Sequence, residues 1–169
     1  MEMTKLLLRA ARKSDFARIR EIALAGWLFS YKHIPEKDIK RLVNEYYSER
    51  NLIHSLKNAR RGTDYFVVAE LHGKVIGYGH VTRKGVLGEL LKLYLDTWYI
   101  GKGVGKKMLM TCEWFLKSRD CRSYFTFVNT HNKLGTNFYI RNGFVHVTEK
   151  DEEEEFKEGK VLWCMEKKL

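Results

Sequence analysis

Apolar residues in this chain recur first at helical spacing and then at alternating spacing, and the change of period divides it into elements. Residues 6–9 read as a short strand, and Ser14 stands where an N-cap would precede Phe16, Ile19, Ile22 and Ala23, which share one helix face. Pro35 suits the first turn of a second helix, with Glu36 and Asp38 near its positive end and Ile39, Leu42, Val43 and Tyr46 on its apolar face. A third helical piece covers residues 52–58. After Arg61-Gly62 the period becomes that of strands: residues 65–71 and 74–82 flank His72-Gly73, a hairpin signature. Gly85 and Gly88 flank a turn into residues 89–95, a nearly continuous apolar run that predicts a central strand covered on both faces. Val104, Met108, Cys112 and Phe115 or Leu116 then line a helix, and residues 123–128 form an aromatic and β-branched strand. Residues 132–141 predict a helix ended by Asn142-Gly143, with Gly143 available for a left-handed cap, and strands near residues 144–148 and 161–166 follow. This order predicts a mixed α/β layer fold and not a regular doubly wound one.

Composition narrows the reading. A chain of 169 residues with 44% hydrophobic composition buries one ordinary core, and no Pro-, Gly- or Ser-rich stretch or repeat divides it, so residues 1–169 are expected to form one domain. The longest apolar runs are far shorter than a membrane span, and the Leu6 to Leu8 triplet is too short for a signal-peptide core, which predicts a cytoplasmic protein with no membrane partner. Cys112, Cys121 and Cys164 lack metal-ligand spacing and are expected to be buried thiols, with no metal site. The net charge of +10 is spread along the chain and fits an anionic ligand, nucleic acid or an acidic surface; no recognition helix, zinc finger or RNA-binding strand pair singles out nucleic acid. Glu149 and Asp151 to Glu155 reverse that balance locally and read as a solvated loop.

The densest chemical signal is Ile100-Gly101-Lys102-Gly103-Val104-Gly105-Lys106-Lys107, between the predicted central strand and the helix after it. Glycine lets backbone approach a ligand, and a helix N-terminus presents unpaired N–H groups with a partial positive charge. The loop fits a phosphate cradle or simply a tight connection. A P-loop is excluded, because Ile100 replaces its first glycine and Lys107 its hydroxyl. A dinucleotide fingerprint fails at Lys106.

The loop and its neighbours together resemble the GNAT superfamily of acyl-coenzyme A N-acyltransferases over nearly the whole chain. Leu93-Tyr94-Leu95 followed by residues 100–105 is similar to the family's central strand and its Gln/Arg-x-x-Gly-x-Gly/Ala pyrophosphate signature, with Ile100 where Gln or Arg is usual. Asn132 precedes Tyr139 by seven positions, and Phe138-Tyr139-Ile140-Arg141-Asn142-Gly143-Phe144 is similar to the family's Phe-Tyr-x-x-x-Gly-Phe segment. The resemblance implies the GNAT fold, a twisted, mostly antiparallel mixed sheet of about six to seven strands flanked by helices. It also implies acetyl-CoA as donor. Leu93, Tyr94 and Leu95 would pair with the pantetheine arm, and the amides of Gly101, Lys102, Gly103, Val104, Gly105 and Lys106 would hold the pyrophosphate. Asn132, Gly135 and Tyr139 would complete the cofactor site. Lys102, Lys106 and Lys107 would offset phosphate charge or remain solvated.

Amine attack on a thioester needs a neutral nucleophile, and an alkyl ammonium has a pKa of about 10.4, so a base must take a proton. By resemblance Glu89 stands at the family's basic glutamate and would touch both base chemistry and acceptor, with His80 and ordered water as competitors and a surface carboxylate as its other reading. The Leu93 N–H would meet the thioester carbonyl. Tyr139 would return a proton to the departing thiolate. Gly26-Trp27 and Tyr31 resemble the acceptor wall of PaiA-like polyamine acetyltransferases, although Trp27 fits a core role equally. A polyamine such as spermidine or spermine is the expected acceptor, with the acidic run near its mouth; protein amines, or a non-catalytic acyl-CoA sensor or nucleic-acid module, are the alternatives. The resemblance leaves room for a homodimer.

Overall fold

A computed structural model describes residues 6–153 and 161–169. The first strand, β1 (Leu6–Ala10), leads through one 3-10 turn, Lys13–Asp15, into α1 (Phe16–Ser30). Ser14 is not the cap: Asp15 accepts from the Arg12 N–H at 2.7 Å, and Arg9 of β1 donates to the same carboxylate at 2.8 Å. A carboxylate satisfied from both sides fixes the entry to α1 better than a hydroxyl would. Phe16, Ile19, Ile22 and Ala23 are buried, as their spacing predicts.

Pro35 precedes α2 (Glu36–Tyr46), and α3 (Glu49–Arg61) runs from Ser48, whose hydroxyl accepts from Asn51 N–H, to Gly62 in the left-handed conformation. Tyr46, expected on the buried face, is 43% exposed. The chain leaves helical geometry at Tyr47, with φ −108° and ψ 28°, and it is the Tyr47 ring that enters the core. The next strands, β2 (Asp64–Leu71) and β3 (Lys74–Lys84), form a hairpin in which His72 and Gly73 have φ of 50° and 78°, the pair of positive values that a two-residue turn of matching twist requires.

The remaining elements are β4 (Leu87–Leu95), α4 (Val104–Lys117), β5 (Ser123–Asn129), α5 (Lys133–Arg141), β6 (Val145–His146), β7 (Glu152–Glu153) and β8 (Val161–Lys168). Seven strands follow one path, β1-β2-β3-β4-β5-β8-β6, and β7 adds to β8. Every pairing is antiparallel except β4 with β5. The mostly antiparallel sheet expected from the GNAT resemblance is present. The acidic run departs from a solvated loop in its first part: Asp151 accepts from Cys164 N–H at 2.8 Å and pairs with His146, and Glu152–Glu153 join the sheet. Glu154 and Glu155 lie outside the described residues.

Helices cover both faces. Ile19, Ile22, Ile39, Val43 and Leu52 pack on Phe66, Val68 and Tyr78, while Leu109, Cys112 and Leu116 pack on Val67, Val81, Leu90 and Tyr124. Consecutive residues of β2 therefore feed opposite cores, as strand alternation demands. All three cysteines are buried free thiols. Among the described residues, no helix is long and apolar enough to cross a membrane.

Candidate active site

The parallel junction of the sheet is short. β4 and β5 pair only at Leu87 with Ser123, Gly88 with Tyr124 and Glu89 with Phe125, and the Thr126 hydroxyl then donates to Leu90 O at 2.8 Å. On its other side β4 stays paired with β3, but the register passes from Val81–Leu90 to His80–Lys92, leaving Leu91 as an inserted residue. Such a bulge bends the strand and increases its twist. On the β5 side β4 and β5 diverge, and a slit of about 370 Å³ opens between residues 91–95 and 126–128. Leu91 is 41% exposed, so this half of β4 is not covered on both faces as its apolar composition predicts. Its backbone presents an unpaired edge inside the sheet, suited to an extended ligand that adds like a strand.

The glycine loop closes one end of the slit. Asp96 accepts from Trp98 N–H and is paired with Arg18 of α1, which also donates to Val75 O, so the chain leaving β4 is tied down before the loop begins. Gly101 and Gly103 have φ of 78° and 79°, values open to glycine and strained for other residues. The α4 ladder starts with Lys107 N–H donating to Gly103 O, which leaves the amides of Val104, Gly105 and Lys106 at the positive helix end. Gly101, Gly103, Gly105 and Lys106 line the slit, and so does Ile100. An apolar side chain at that position extends the slit wall in place of a polar contact. Lys102 does not line it; its ammonium lies 5.3 Å from the centre of the Tyr99 ring. Val104 does not line it either; the residue is fully buried.

The opposite wall is α5. Asn132 Oδ1 accepts from Gly135 N–H at 2.9 Å, an N-cap worth about 1 kcal/mol, and a Cβ on Gly135 would approach Asn132 Nδ2 to 2.7 Å. Glycine there keeps the cap in place at the slit. Tyr139 follows on the same helix, 8% exposed, between Phe138 and Phe144 at 5.5 and 5.1 Å. Burial pushes its phenol pKa up, against the opposing effect of Thr126, so Tyr139 keeps its proton at neutral pH.

The face towards α1 and α2 is aromatic. Gly26 allows α1 to close on β4, since a Cβ there would meet Tyr94 at 3.0 Å. Tyr31 lines the slit and packs edge-on against Trp27 at 5.6 Å. Tyr94 stacks on Tyr78 at 5.5 Å, and the Tyr78 hydroxyl donates to that of Tyr47 at 2.7 Å. Burial pushes Tyr94 up to about 12. Lys92 also lines the slit, its ammonium 4.4 Å from the Tyr47 ring centre and its pKa brought down by burial to about 8.

The model of the acetyltransferase (GNAT) family matches residues 16–144. The chain belongs to that family. As a GNAT protein it is an acetyl-CoA-dependent N-acetyltransferase. It is 30% identical over 135 residues to a spermidine N(1)-acetyltransferase of Thermoplasma acidophilum, covering 77% of this chain and 82% of that one. The crystal structure of the PaiA N-acetyltransferase of the same organism, in complex with coenzyme A, superposes with a TM-score of 0.84 at 26% identity, covering 98% of this chain and 99% of that one. Ard1 of Thermoplasma volcanium shares the fold, with a TM-score of 0.75 at 16% identity and 97% of each chain covered.

Against this GNAT frame, the residues expected to hold the donor converge: Leu93, Tyr94, Leu95, Gly101, Gly103, Gly105, Lys106, Asn132, Gly135 and Tyr139 line one slit. Trp27 does not line it. Its indole N–H is buried without a hydrogen-bond partner of good geometry, beside the Tyr47 and Tyr94 hydroxyls. Glu89 is also absent from the lining: it sits in the paired part of β4, and its carboxylate accepts from the Lys84 ammonium at 2.6 Å. His80 is buried, held to Asp64 at 2.8 Å, and kept neutral near pH 7 because burial lowers its pKa. Lys92 and Thr126 were not anticipated. Lys92 is the one charge in the run 90–95, which is the signal that marks it; Thr126 carries none, because its role depends on where β5 leaves β4.

Proposed function

We propose that this N-acetyltransferase acts on aliphatic amines and that a polyamine such as spermidine or spermine is its acceptor. The observation that carries the reading is a single slit in which the free edge of β4 faces Tyr139 on one side and the Tyr31 aromatic wall on the other. The spermidine acetyltransferase among its relatives supports the acceptor class. Among the described residues the charged side chains lining the slit are Lys92 and Lys106, so a cationic acceptor would meet ring faces there and not carboxylates; such contacts contribute about 0.5–2 kcal/mol each.

In this reading the pantetheine arm of acetyl-CoA lies along the edge of residues 93–95, and the pyrophosphate lies on the amides at the start of α4. The Leu93 N–H donates to the thioester oxygen as negative charge grows on it. The acceptor nitrogen attacks the carbonyl carbon, the C–S bond breaks, and Tyr139 gives its proton to the departing sulfur. A phenol that holds its proton is the correct resting state for that donation.

The test is release of coenzyme A thiol with a panel of spermidine, spermine, free lysine, aminoglycosides and an N-terminal peptide. The expected kcat/KM for spermidine exceeds that for lysine and peptide by at least about tenfold. Preference for the peptide would overturn the acceptor class. No turnover with any amine, despite acetyl-CoA binding, would overturn the reading altogether.

A further inference from the structure

Lys92 is one of two lysines among the described residues that line the slit. It belongs to β4, one residue past the Leu91 bulge and next to Leu93, and it lines the slit from the face that carries Tyr47, Tyr78 and Tyr94. Among the described residues no carboxylate lies within ion-pair distance of it; its contact is the Tyr47 ring. A lysine placed for structure would ordinarily be ion-paired at its tip, and this one opens on the slit instead.

We propose that Lys92 is the general base: its side-chain amine takes the proton from the acceptor ammonium inside the slit. The proposal rests on the amine-acetylation reading above. The lone pair of neutral Lys92 Nζ accepts one proton from the acceptor nitrogen, which becomes a neutral amine and forms the new C–N bond. As C–S breaks Tyr139 gives its proton to sulfur, the second proton lost from that nitrogen restores the Tyr139 phenol, and Lys92 returns its own proton to solvent.

The surroundings keep Lys92 available. Two acids of the neighbouring strands are already engaged: Asp64 on β2 is held by His80 and Thr82, and Glu89 on β4 is held by Lys84. His80, opposite Lys92 on β3, and His54 of α3, which acts on His80, add no negative charge, and the Tyr47 and Tyr94 hydroxyls stay protonated because burial raises both. Burial alone brings Lys92 down to about 8, near the working pH of a general base, and a second cation entering the slit lowers it further.

The test is the pH profile of kcat/KM for spermidine in wild type, Lys92→Met and Lys92→Arg, with acetyl-CoA affinity measured by thermal shift in each to show that the chain is folded. Wild type is expected to gain activity through an apparent pKa of about 8. Lys92→Met is expected to lose about 10²- to 10⁴-fold, with the acid limb moved up towards the acceptor's own pKa of about 10.4 and acetyl-CoA affinity unchanged. Lys92→Arg keeps the cation and its stem but cannot take a proton, so it is expected to be as impaired as Lys92→Met. A methionine variant within fivefold of wild type, a rate loss with an unmoved acid limb, or an active arginine variant would each overturn the base role while leaving the acetyltransferase reading intact. A wild-type protein that turns over no amine would overturn both.

Discussion

In the proposed reading the donor side of the slit presents backbone, from the free edge of β4 to the amides at the head of α4, whereas the acceptor side presents rings from the ends of α1 and α2 and from β3 and β4, with the Lys92 ammonium of β4 among them. The difference follows from what each ligand offers. A pyrophosphate and an amide-bearing arm are met by N–H and C=O groups that any sequence carries, provided glycine lets them approach. A small amine offers a charge and a few methylenes, which only side chains can distinguish. Substitutions on the two sides should therefore separate cleanly in kinetics.

The largest effect is expected where the two sides meet. Tyr139→Phe should lower kcat by about 10²- to 10⁴-fold with acetyl-CoA binding preserved; a loss of binding instead would make Tyr139 part of the donor wall only. On the donor side, Gly103→Val forces a branched side chain into a φ of 79° and should raise the KM for acetyl-CoA about tenfold, whereas Lys106→Ala should change it about twofold. If the lysine proves the more costly change, the donor side is held by side-chain charge and the contrast fails. Tyr31→Ala should raise the amine KM about fivefold and leave the acetyl-CoA KM alone. Glu89→Gln should leave both the rate and its pH profile within about threefold of wild type, because that carboxylate faces Lys84 outside the slit.

One further expectation sharpens the acceptor side through stability. Lys92 has a folded pKa of about 8 and an ordinary one of 10.5, so below pH 8 folding keeps an ammonium in a poor environment. Between those values the unfolded chain binds the extra proton, and stability rises with pH. Lys92→Met should thus melt a few degrees higher than wild type near pH 7, and the gap should close as pH approaches 10.5. A gap independent of pH would mean that the gain comes from packing alone.

The donor side was the more legible in sequence, for the same reason that it is made of backbone. Glycines at 101, 103 and 105, an asparagine cap and the Phe138 to Phe144 segment are local signals, each fixed by a few neighbours in the chain. The acceptor side arises from convergence of distant elements, and the local pattern misled there: Tyr46 reads as core, yet the helix ends and Tyr47 turns inward. The bulge at Leu91 carries no Gly or Pro to announce it, so the run 89–95 reads as uniformly covered although β5 departs after Glu89. Ser14 failed as a cap because Arg9, folded beside it from β1, recruits Asp15.

The early divergence of β4 from β5 also reverses the usual distribution of amide exchange. In most sheets the central strands are the last to exchange with deuterium and the outer ones the first. Here the amides of residues 91–95 that face β5 have no ladder partner among the described residues, so water reaches the middle of the sheet. Deuterium uptake in that short stretch should be fast in the free protein and should fall sharply when acetyl-CoA is added, which makes the strand's own backbone a reporter of donor occupancy.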